Sequence, residues 1–596
     1  MAAFRWFLTY LKKYRWLLIS GTILVLFSSV LLLINPKISG LIVDDVIYGA
    51  QYERLPRLLV IMIAVSLLRS LCRYVYLMEF EVASQGMLYT LRDVVFRKML
   101  KEDFNFFNRN RTGDLMSRQT GDMDAIRHFV AYVIYQVIEN ICMFLFALVM
   151  IIIVCPKLAA AMLVLLPLTA LVAYFQSKTI RPAFTRARQC FSSLNTFAQE
   201  NISGNRVVKA FAKEDFERQK FMKENDAYRD AQLNSSYIWM KFVPLFQIMS
   251  NMMTVVLMLV GGAMVIGKEM SLGDMVTVNG YLWMLNSPLG MAGWLINDIQ
   301  RFSTSLEKIH ATYSEEPDVK MPELPKKPDF VRGEVEFRNV DYFAFDEIIL
   351  RDISFKVKPG QTVGIIGATG AGKSTLMNLI CRFYDVTNGQ VLVDGIDVRE
   401  MDLYSLRGNI GIAMQDVFLF SDTIEGNIAY ANPDVSFERV KEVAEIANAD
   451  EFISKMPDGY DTIVGERGIG LSGGQKQRVS LARALLKEPA IVILDDTTSA
   501  IDMETEAQIQ KALSNIAGKK TVFIIAHRIS SIMKADLILV LDNGRIVEQG
   551  THETLLAKNG YYATVFHHQY GEFETFKEIR RKKGQEVQEW QEISTT

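Results

Sequence analysis

The chain has 596 residues, of which 50% are hydrophobic, and a formal net charge of −2. With its positive mean hydropathy, it is too apolar for an ordinary water-soluble enzyme, and its near-neutral charge gives no sign of a nucleic-acid partner. The five cysteines lack CxxC or metal-ligand spacing, which favours packed free thiols.

The apolar residues concentrate before about residue 300, in runs long enough to cross a bilayer as helices. These runs are residues 17–34, 58–78, 130–154, 158–175, 243–266 and 275–296. We therefore predict an α-helical transmembrane domain with six spans over residues 17–312. Residues 1–16 are predicted to be an interfacial elbow helix, although a plain cytosolic lead-in fits them almost as well. A secretory signal peptide is disfavoured, because no small-residue cleavage site follows the first run.

Positive charge between the runs predicts the orientation in the membrane. Lys12 and Lys13 precede the first run, and the long connections after the second and fourth runs are rich in arginine. The other connections are short or acidic. Since basic loops stay on the cytoplasmic side, both termini and the second half of the chain are expected in the cytoplasm. The chain size and the lack of a transit peptide favour a multi-pass protein of a bacterial plasma membrane, surrounded by membrane lipids.

A polar, proline-rich linker is predicted at residues 313–330. Beyond it, β-like runs alternate with helix-like runs, as in an α/β unit, which we place at residues 331–570. The remaining residues, 571–596, are predicted to be a charged tail, to which no function is assigned.

The most specific motif lies between a β-like run at residues 362–366 and a helix-like run from Thr375. Its residues are Gly367, Ala368, Thr369, Gly370, Ala371, Gly372, Lys373 and Ser374. The glycines let backbone N–H groups cup a phosphate, the lysine reaches the β and γ phosphates, and the serine hydroxyl ligates Mg²⁺. The pattern predicts a P-loop site for a nucleoside triphosphate.

Further motifs follow in a fixed order. They are Gln415 after a strand-like run, the signature Leu471-Ser472-Gly473-Gly474-Gln475 before a helix-like run, Asp495 at the end of an apolar run, then Asp502, and His527 after another strand-like run. With the phosphate loop they resemble the nucleotide-binding domain of an ABC transporter, and the fusion to six N-terminal spans resembles the type I exporter branch. The fold class implied is an α-helical six-span transmembrane domain fused to an α/β P-loop ATPase domain of ABC type.

The resemblance implies a role for each motif, with ATP and Mg²⁺ as cofactors. Ser374, Gln415 and Asp495 would hold Mg²⁺ between the β and γ oxygens. Asp496, His527 and Gln415 would act on the attacking water. The residues implied to bind ATP are Gly367, Thr369, Gly370, Ala371, Gly372, Lys373, Ser374, Thr375, Ser472, Gly473, Gly474, Gln475 and Asp502. Because the signature serves the nucleotide of the other domain in a dimer, one chain cannot build a complete site.

Two positions depart from the family's pattern. The residue after Asp495 is normally a glutamate that polarises water, whereas this chain has Asp496. A carboxylate displaced by about 1 Å costs on the order of a hundredfold in rate, so this chain's own site is expected to bind ATP but hydrolyse it poorly. Ala344 stands where an adenine-stacking tyrosine is usual, and Phe343 or Phe345 is expected to stack on the base instead.

The membrane half must be coupled to this cycle. Residues 106–124 and 200–209 resemble the first and second intracellular loops of exporters, which carry short docking helices to the nucleotide domains. The substrate is less defined. The last run contains a mixed aromatic and methionine surface of the kind found at promiscuous sites, although ordinary helix packing explains most of it. Its residues are Tyr281, Trp283, Met284, Asn286, Met291 and Trp294.

An intact signature beside a weakened acid resembles one half of a heterodimeric exporter, in which a different chain supplies the glutamate. We therefore predict a second ABC half-transporter as partner, and ATP-driven export of small hydrophobic or amphipathic compounds. Two alternatives stay open. One is a homodimeric lipid or peptide exporter in which Asp496 functions adequately, and the other is an ATP-gated membrane sensor or channel.

Overall fold

The computed structural model describes residues 1–344, 347–465, 468, 470–495 and 518–569. The chain forms two compact units and crosses between them at 101/102, 109/110 and 315/316. Unit 1 comprises Met1–Lys101 and Asn110–Glu315, and unit 2 comprises Glu102–Arg109 and the described residues from Glu316 onward. A short segment of the first half, whose chain neighbours on both sides belong to unit 1, therefore folds with unit 2.

Helices make up most of the first half of the chain. They are α1 (Ala2–Leu11), α2 (Arg15–Leu31), α3 (Ile34–Leu41), α4 (Leu55–Leu100), α5 (Phe104–Arg109), α6 (Thr112–Ser117), α7 (Met123–His128), α8 (Ile134–Val154), α9 (Pro156–Leu163), α10 (Leu165–Ser203), α11 (Asn205–Ala210), α12 (Glu214–Val256), α13 (Gly262–Ile266) and α14 (Leu272–Ser314). Short π-helical turns lie at Ile42–Tyr48, Arg118–Asp122, Phe129–Val133 and Leu257–Gly261. Of the helices α1 to α14, α5 is the one that belongs to unit 2.

Four helical stretches are long and apolar enough, among the described residues, to cross a membrane. They are Ala2–Tyr48, Tyr52–Leu100, Thr112–Val154 and Glu214–Ile266. The predicted fourth span straddles α9 and α10, and the predicted sixth span lies in α14. These helices are not in the set of four, so the count of six spans stays a prediction.

The first apolar run of the sequence is interrupted in the structure. α2 ends at Leu31 and α3 begins at Ile34, and Pro36 lies in the first turn of α3, where a residue without a backbone N–H is tolerated. The carbonyl of Leu33 at this break accepts a hydrogen bond from the Tyr281 hydroxyl at 2.9 Å. A side chain of α14 thus satisfies a backbone carbonyl at the break between α2 and α3.

α3 and α14 approach closely through small residues. A side-chain carbon added at Gly40 would lie 2.0 Å from Thr277 Oγ1, and one added at Gly273 would lie 2.4 Å from Asp44 Oδ2. Asp44 accepts hydrogen bonds from the Ser271 hydroxyl and from the backbone N–H of Gly273, which satisfies the first turn of α14. Small residues at such contacts are typical of helix packing in membranes.

The described residues of unit 2 form two β-sheets. The strands are β1 (Val335–Ala344), β2 (Glu347–Val357), β3 (Thr362–Gly367), β4 (Asn388–Val393), β5 (Ile396–Asp397), β6 (Ile410–Ala413), β7 (Ile491–Asp495), β8 (Thr521–Ile525), β9 (Leu537–Asp542) and β10 (Arg545–Gly550). Among the described residues, the smaller sheet is antiparallel with the order β2-β1-β4-β5. The larger sheet has the order β10-β9-β3-β8-β7-β6, and β9, β3, β8, β7 and β6 run parallel.

The larger sheet has an apolar core on each face. Along β7, Ile491 and Ile493 join one buried cluster, and Val492 and Leu494 join the other, as expected for a parallel strand covered on both sides. The α-helices in the described residues beyond the linker are α15 (Lys373–Ile380), α16 (Leu403–Gly408), α17 (Ile424–Ile428), α18 (Phe437–Ile446), α19 (Asp450–Ile453), α20 (Gly473–Leu486) and α21 (His552–Ala557). Residues 561–569 are helical as well.

The five cysteines are free thiols, and four of them are buried. Cys381 follows α15, and its burial raises the pKa of its thiol to about 12. These side chains therefore pack as small apolar groups.

Candidate functional site

The phosphate loop joins β3 to α15, as the motif predicted. Gly370 and Gly372 have φ values of +83° and +94°, a left-handed conformation that residues with a Cβ avoid. A side-chain carbon at Gly372 would lie 2.6 Å from Leu350 Cδ2, and one at Gly367 would lie 2.0 Å from the Leu541 carbonyl oxygen. The glycines therefore allow a tight turn between strand and helix, and the N–H groups at the start of α15 are available to an anion.

Lys373 is the first residue of α15, and its side chain is buried. Its ammonium donates hydrogen bonds to the carbonyl oxygens of Gly367 and Ala368, both at 2.9 Å. A buried cation needs partners of this kind, because an unpaired one is costly. The ammonium is thus held inside the loop, where a phosphate cradled by the loop would give it a stronger, charge-assisted partner.

The remaining loop residues differ in exposure. Thr369 and Ser374 are exposed, Thr375 is half-buried and Ala371 is buried. The N–H of Ala371 donates to the carbonyl of Ala368 at 3.2 Å, which closes the turn of the loop. The Ser374 hydroxyl, one residue into α15, is therefore accessible to a ligand, whereas Ala371 shapes the loop through its backbone.

Four predicted site elements meet at one edge of the larger sheet. Because β3, β8, β7 and β6 are neighbouring parallel strands, their carboxyl ends lie on the same side. The phosphate loop follows β3, His527 follows β8, Asp495 ends β7 and Gln415 follows β6. Asp495 is level with Ile525 of β8 in the strand register. Open α/β sheets bind ligands in the crevice beyond these strand ends.

The residues at this edge fit Mg²⁺ as well as ATP. Asp495 is half-buried, and Ser374 and Gln415 are exposed. In the described part of the chain, no group of three or more His, Cys, Asp or Glu side chains is suited to a metal ion. Mg²⁺ needs few protein ligands, since it keeps water and binds phosphate oxygens as its other ligands. One carboxylate, one hydroxyl and one amide oxygen are compatible with that chemistry.

The β1–β2 hairpin runs beside the phosphate loop, because the Ile349 carbonyl oxygen in β2 is 3.1 Å from a side-chain carbon placed at Gly372. Phe343 lies in β1, and its ring is 45% exposed. Ala344, in contrast, is half-buried against the core. An exposed ring at Phe343 fits the prediction that either Phe343 or Phe345 stacks on adenine.

The signature motif begins α20. Ser472 is the N-cap, since its Oγ accepts the N–H of Gln475 at 3.3 Å and Gln475 Oε1 accepts the N–H of Ser472 at 2.9 Å. This capping box satisfies two N–H groups reciprocally. Gly473 and Gly474 are the first residues of the helix and leave its start open to an anion. The signature is not among the residues that the strand register brings to the sheet edge.

The backbone on both sides of His527 is anchored. The N–H of Ala526 donates to the Ile365 carbonyl of β3 at 3.1 Å. Beyond the histidine, Gln569 Nε2 donates to the His527 carbonyl oxygen at 2.8 Å, and Gln569 Oε1 accepts the N–H of Ile529 at 2.9 Å. The exposed His527 side chain is thus carried by a segment that is fixed at both ends.

Within unit 2, α5 packs against the segment that follows α15 in the chain. The ring centroids of Phe104 and Phe383 are 4.4 Å apart, and Asn108 Nδ2 donates to the Tyr384 hydroxyl at 3.1 Å. The resemblance placed the start of the docking loop at residue 106, whereas the helix begins two residues earlier, at Phe104. Sequence reasoning missed this residue because the ring that it meets lies in a distant part of the chain.

Two carboxylates tie α5 to the linker. Asp318 Oδ2 accepts hydrogen bonds from Arg109 Nη2 at 2.8 Å and from Asn105 Nδ2 at 2.9 Å. Asp103 Oδ2 accepts the backbone N–H groups of Asp318 and Val319. The linker is therefore a structural part of this contact and not merely a tether.

Three predicted site residues, Asp496, Asp502 and Phe345, lie outside the described residues, as does the tail at 571–596. The contact between Gln569 and the His527 segment was not predicted from the sequence, since it joins residues 42 positions apart in the chain and follows no spacing rule.

Comparison with known proteins supports the resemblance. Residues 18–289 match the sequence model of the ABC transporter transmembrane region, and residues 350–499 match the sequence model of the ABC transporter. The two matches cover the helical half and the phosphate-loop half of the chain.

Full-length relatives show the same combination. The chain is 36% identical over 571 residues to an ATP-dependent lipid A-core flippase of Syntrophus aciditrophicus (strain SB), which covers 95% of this chain and 93% of the relative. It is 35% identical over 549 residues to a protein named for multidrug export, YgaD of Bacillus subtilis (strain 168), which covers 89% of this chain and 93% of the relative.

A solved structure agrees with these matches. A bacterial Atm1-family ABC exporter with ATP bound is similar to this chain with a TM-score of 0.79 and 29% sequence identity, over 93% of this chain and 98% of that chain. The predicted fold class, a helical transmembrane domain fused to a nucleotide-binding domain, is confirmed apart from the number of spans. The chain belongs to the ABC transporter family, as a half-transporter of the exporter type.

Proposed function

We propose that this chain is one half of a heterodimeric exporter that uses ATP to move amphipathic or hydrophobic compounds out of a bacterial cytoplasm. Family membership supports the coarser part of this statement, since ABC exporters are integral membrane proteins that work as dimers and couple ATP hydrolysis to transport. The finer part concerns this chain's own site, which binds ATP but hydrolyses it slowly. The nucleotide-binding unit faces the cytoplasm of a plasma membrane.

The observation that carries the proposal is Asp496 in the sequence directly after Asp495, the last residue of β7. The family's glutamate at this position would reach one methylene further. A shift of about 1 Å in a reacting group costs on the order of a hundredfold in rate. The phosphate loop and Lys373 are intact, so ATP affinity is retained while turnover is lost.

The other site residues keep their proposed roles. Lys373 and the loop N–H groups hold the phosphates, and His527 contacts the γ-phosphate. Ser374 and Asp495 hold Mg²⁺, which supplies charge neutralisation on the phosphate oxygens when bound. Gln415 reaches from the end of β6 toward the same edge. In this arrangement the chain clamps ATP without needing an efficient general base.

An exposed apolar cluster in unit 1 supports a partner chain. Val207 on α11, Phe211 in the turn after it and Phe216 at the start of α12 are 62%, 71% and 53% exposed. They line a cavity of about 330 Å³. Exposed apolar clusters of this kind mark interaction sites. The cluster lies in and beside the predicted second intracellular loop, so its proposed occupant is the nucleotide-binding domain of the partner half-transporter.

The last helix of unit 1 divides the predicted substrate surface. Tyr281 and Met284 are buried and belong to the helix packing, whereas Trp283 and Trp294 are 61% and 72% exposed. Large exposed aromatic side chains suit amphipathic compounds of varied shape. The relative named for multidrug export, 35% identical, supports the same substrate class.

A second candidate is a homodimeric lipid exporter. The lipid A-core flippase among the relatives favours it, at 36% identity over 95% of this chain. In this case Asp496 serves as a working catalytic acid and the chain needs no different partner.

Turnover of the purified, lipid-reconstituted chain alone tests the proposal. We expect ATP hydrolysis by the native chain to lie near the background set by Lys373→Ala, and Asp496→Glu to raise it by about tenfold or more. Asp434→Glu, at an exposed loop position, is the matched control and should change nothing. Addition of a half-transporter that carries the glutamate should also restore turnover.

Vigorous turnover by the native chain alone would establish the homodimer and refute the heterodimer. ATP-dependent uptake of amphipathic dyes into inverted vesicles then separates transport from sensing, because a sensor gives none. A channel would instead let the dye run down a gradient without turnover.

A further inference from the structure

We propose that Gln569 is a positioning residue for His527, so that the helix of residues 561–569 sets how well the site distinguishes ATP from ADP. The inference rests on the proposed contact of His527 with the γ-phosphate. It does not depend on whether the chain's own site hydrolyses ATP quickly or slowly.

The geometry at Gln569 is a bridge between two backbone groups. Its amide N–H donates to the His527 carbonyl at 2.8 Å, and its amide oxygen accepts the N–H of Ile529 at 2.9 Å. A primary amide donates and accepts at the same time, so both groups that flank Arg528 are satisfied by a single side chain. The bridge lies just beyond the end of β8, at residues 527–529.

The segment between these groups lies at the surface at its centre and is buried on both sides. Ala526 and Ile529 are buried, whereas His527 and Arg528 are exposed. Since the direction of an exposed side chain depends on the peptide that carries it, the orientation of the His527 ring depends on the Gln569 bridge. An error of about 1 Å at a reacting contact is costly.

The helix that presents Gln569 is itself fixed. At its start, Glu548 of β10 accepts the backbone N–H groups of Tyr561 and Tyr562, as suits a carboxylate at a helix N-terminus. Tyr562 is buried, and its hydroxyl is 2.7 Å from His552 Nδ1 on α21. The helix that carries Gln569 is therefore held at its start by contacts with β10 and α21.

Binding measurements on the reconstituted full-length chain test the inference without relying on turnover. Mg-ATP and Mg-ADP are titrated against the native chain, Gln569→Ala, Gln569→Met, His527→Ala and the double variant His527→Ala/Gln569→Ala. We expect each single variant to weaken ATP binding by about tenfold, as the loss of a hydrogen bond to a charged group does, with ADP binding changed by less than about twofold. The double variant should be no worse than His527→Ala, because both changes remove one interaction.

Gln569→Met and one additional variant, His568→Ala, sharpen the comparison. Gln569→Met has nearly the length of glutamine and no amide, so it removes the bridge while it preserves the helix packing if Gln569→Ala fails to fold. His568→Ala changes the neighbouring exposed residue of the same helix, and it should leave both nucleotides unaffected.

Four results would overturn the inference. An unchanged ratio of ATP to ADP affinity in Gln569→Met means that the bridge does not orient the histidine. Equal losses for both nucleotides indicate a merely structural role, and additive losses in the double variant indicate action elsewhere. An unchanged ratio in His527→Ala refutes the proposed γ-phosphate contact and this inference with it, whereas the heterodimer proposal is decided separately by the turnover of Asp496→Glu.

Discussion

At the scale of single residues, the glycines of the phosphate loop are required for different reasons. Gly370 has a left-handed backbone and open space around its Cα, whereas Gly372 has a left-handed backbone and a neighbour, Leu350, in the place of a side chain. A residue with a Cβ in the left-handed region costs about 1–2 kcal/mol at either position. A collision is added only at Gly372.

Gly372→Ala is therefore expected to be the more damaging substitution. Overpacking adds about 1–3 kcal/mol to the backbone strain, so we expect ATP affinity to fall by tenfold or more and the thermal unfolding midpoint to drop. Gly395→Ala is the matched control, because Gly395 has a φ of +76° and no heavy atom within 4 Å of an added carbon. ATP titration and thermal unfolding of the two variants give the comparison. Equal destabilisation by both would show that strain alone matters.

At the scale of elements, the docking of α5 combines interactions of unequal strength. The Arg109–Asp318 ion pair is 60% and 47% exposed on its two sides, and surface pairs contribute about 0–1 kcal/mol. Asp103 instead accepts three backbone N–H groups, those of Asp318 and Val319 in the linker and that of Phe106 within α5, and hydrogen bonds to a charged group contribute about 1.5–3 kcal/mol each. Asp103 should therefore stabilise the docking of α5 more than the Arg109–Asp318 ion pair does.

Hydrogen exchange of the amides in residues 104–109 checks this ranking. Asp103→Ala should speed their exchange by tenfold or more, whereas Arg109→Ala should change it by less than about threefold. Asp114→Ala, at an exposed position, serves as a control for charge removal. If the two test variants loosen α5 equally, the ion pair is as important as the backbone contacts.

Sequence patterns predicted those elements that one local signal decides. β7 was predicted to end at Asp495 because an apolar run stops at a carboxylate. The phosphate loop was predicted from the spacing of its glycines, which the left-handed φ values of Gly370 and Gly372 require. The capping box of Ser472 and Gln475 follows the Ser-x-x-Gln pattern and could also have been predicted. Contacts such as that of Asp103 with Asp318, 215 residues apart, leave no local trace, because no spacing rule relates the two positions.

The membrane half shows the same limit. α4 continues to Leu100, well past the apolar run at residues 58–78, because a helix can leave the bilayer without any change in backbone geometry. Hydropathy reports the part of a helix that suits lipid, and not where the helix ends. The candidate site was better defined, since the strand order that gathers Gln415, Asp495 and His527 follows from parallel pairing.

At the scale of the whole molecule, the exposed cluster around Phe211 predicts dependence on a second chain. Phe211→Asp should leave the thermal unfolding of the isolated chain within about 0.5 kcal/mol of native, since the side chain is 71% exposed. It should weaken association with the partner half-transporter by tenfold or more, because the interface would bury a charge. Thermal unfolding of the isolated native and variant chains measures stability. Analytical ultracentrifugation in detergent, with each chain titrated against the partner, measures association.

Tyr404→Asp is the control for adding a charge at an exposed aromatic position, since Tyr404 is 76% exposed in unit 2. A Phe211→Asp chain that associates and turns over ATP like the native pair would remove the cluster from the interface.

The membership of α5 in unit 2 also has a consequence for synthesis on the ribosome. Asn108 and its partner Tyr384 are 276 residues apart, so at about 5–20 residues per second roughly 14–55 s pass between their emergence. During that interval Phe104 has no ring to pack against, because Phe383 has not yet been made. A nascent chain that stalls before Phe383 and Tyr384 therefore leaves α5 without the partners that it has in the folded protein.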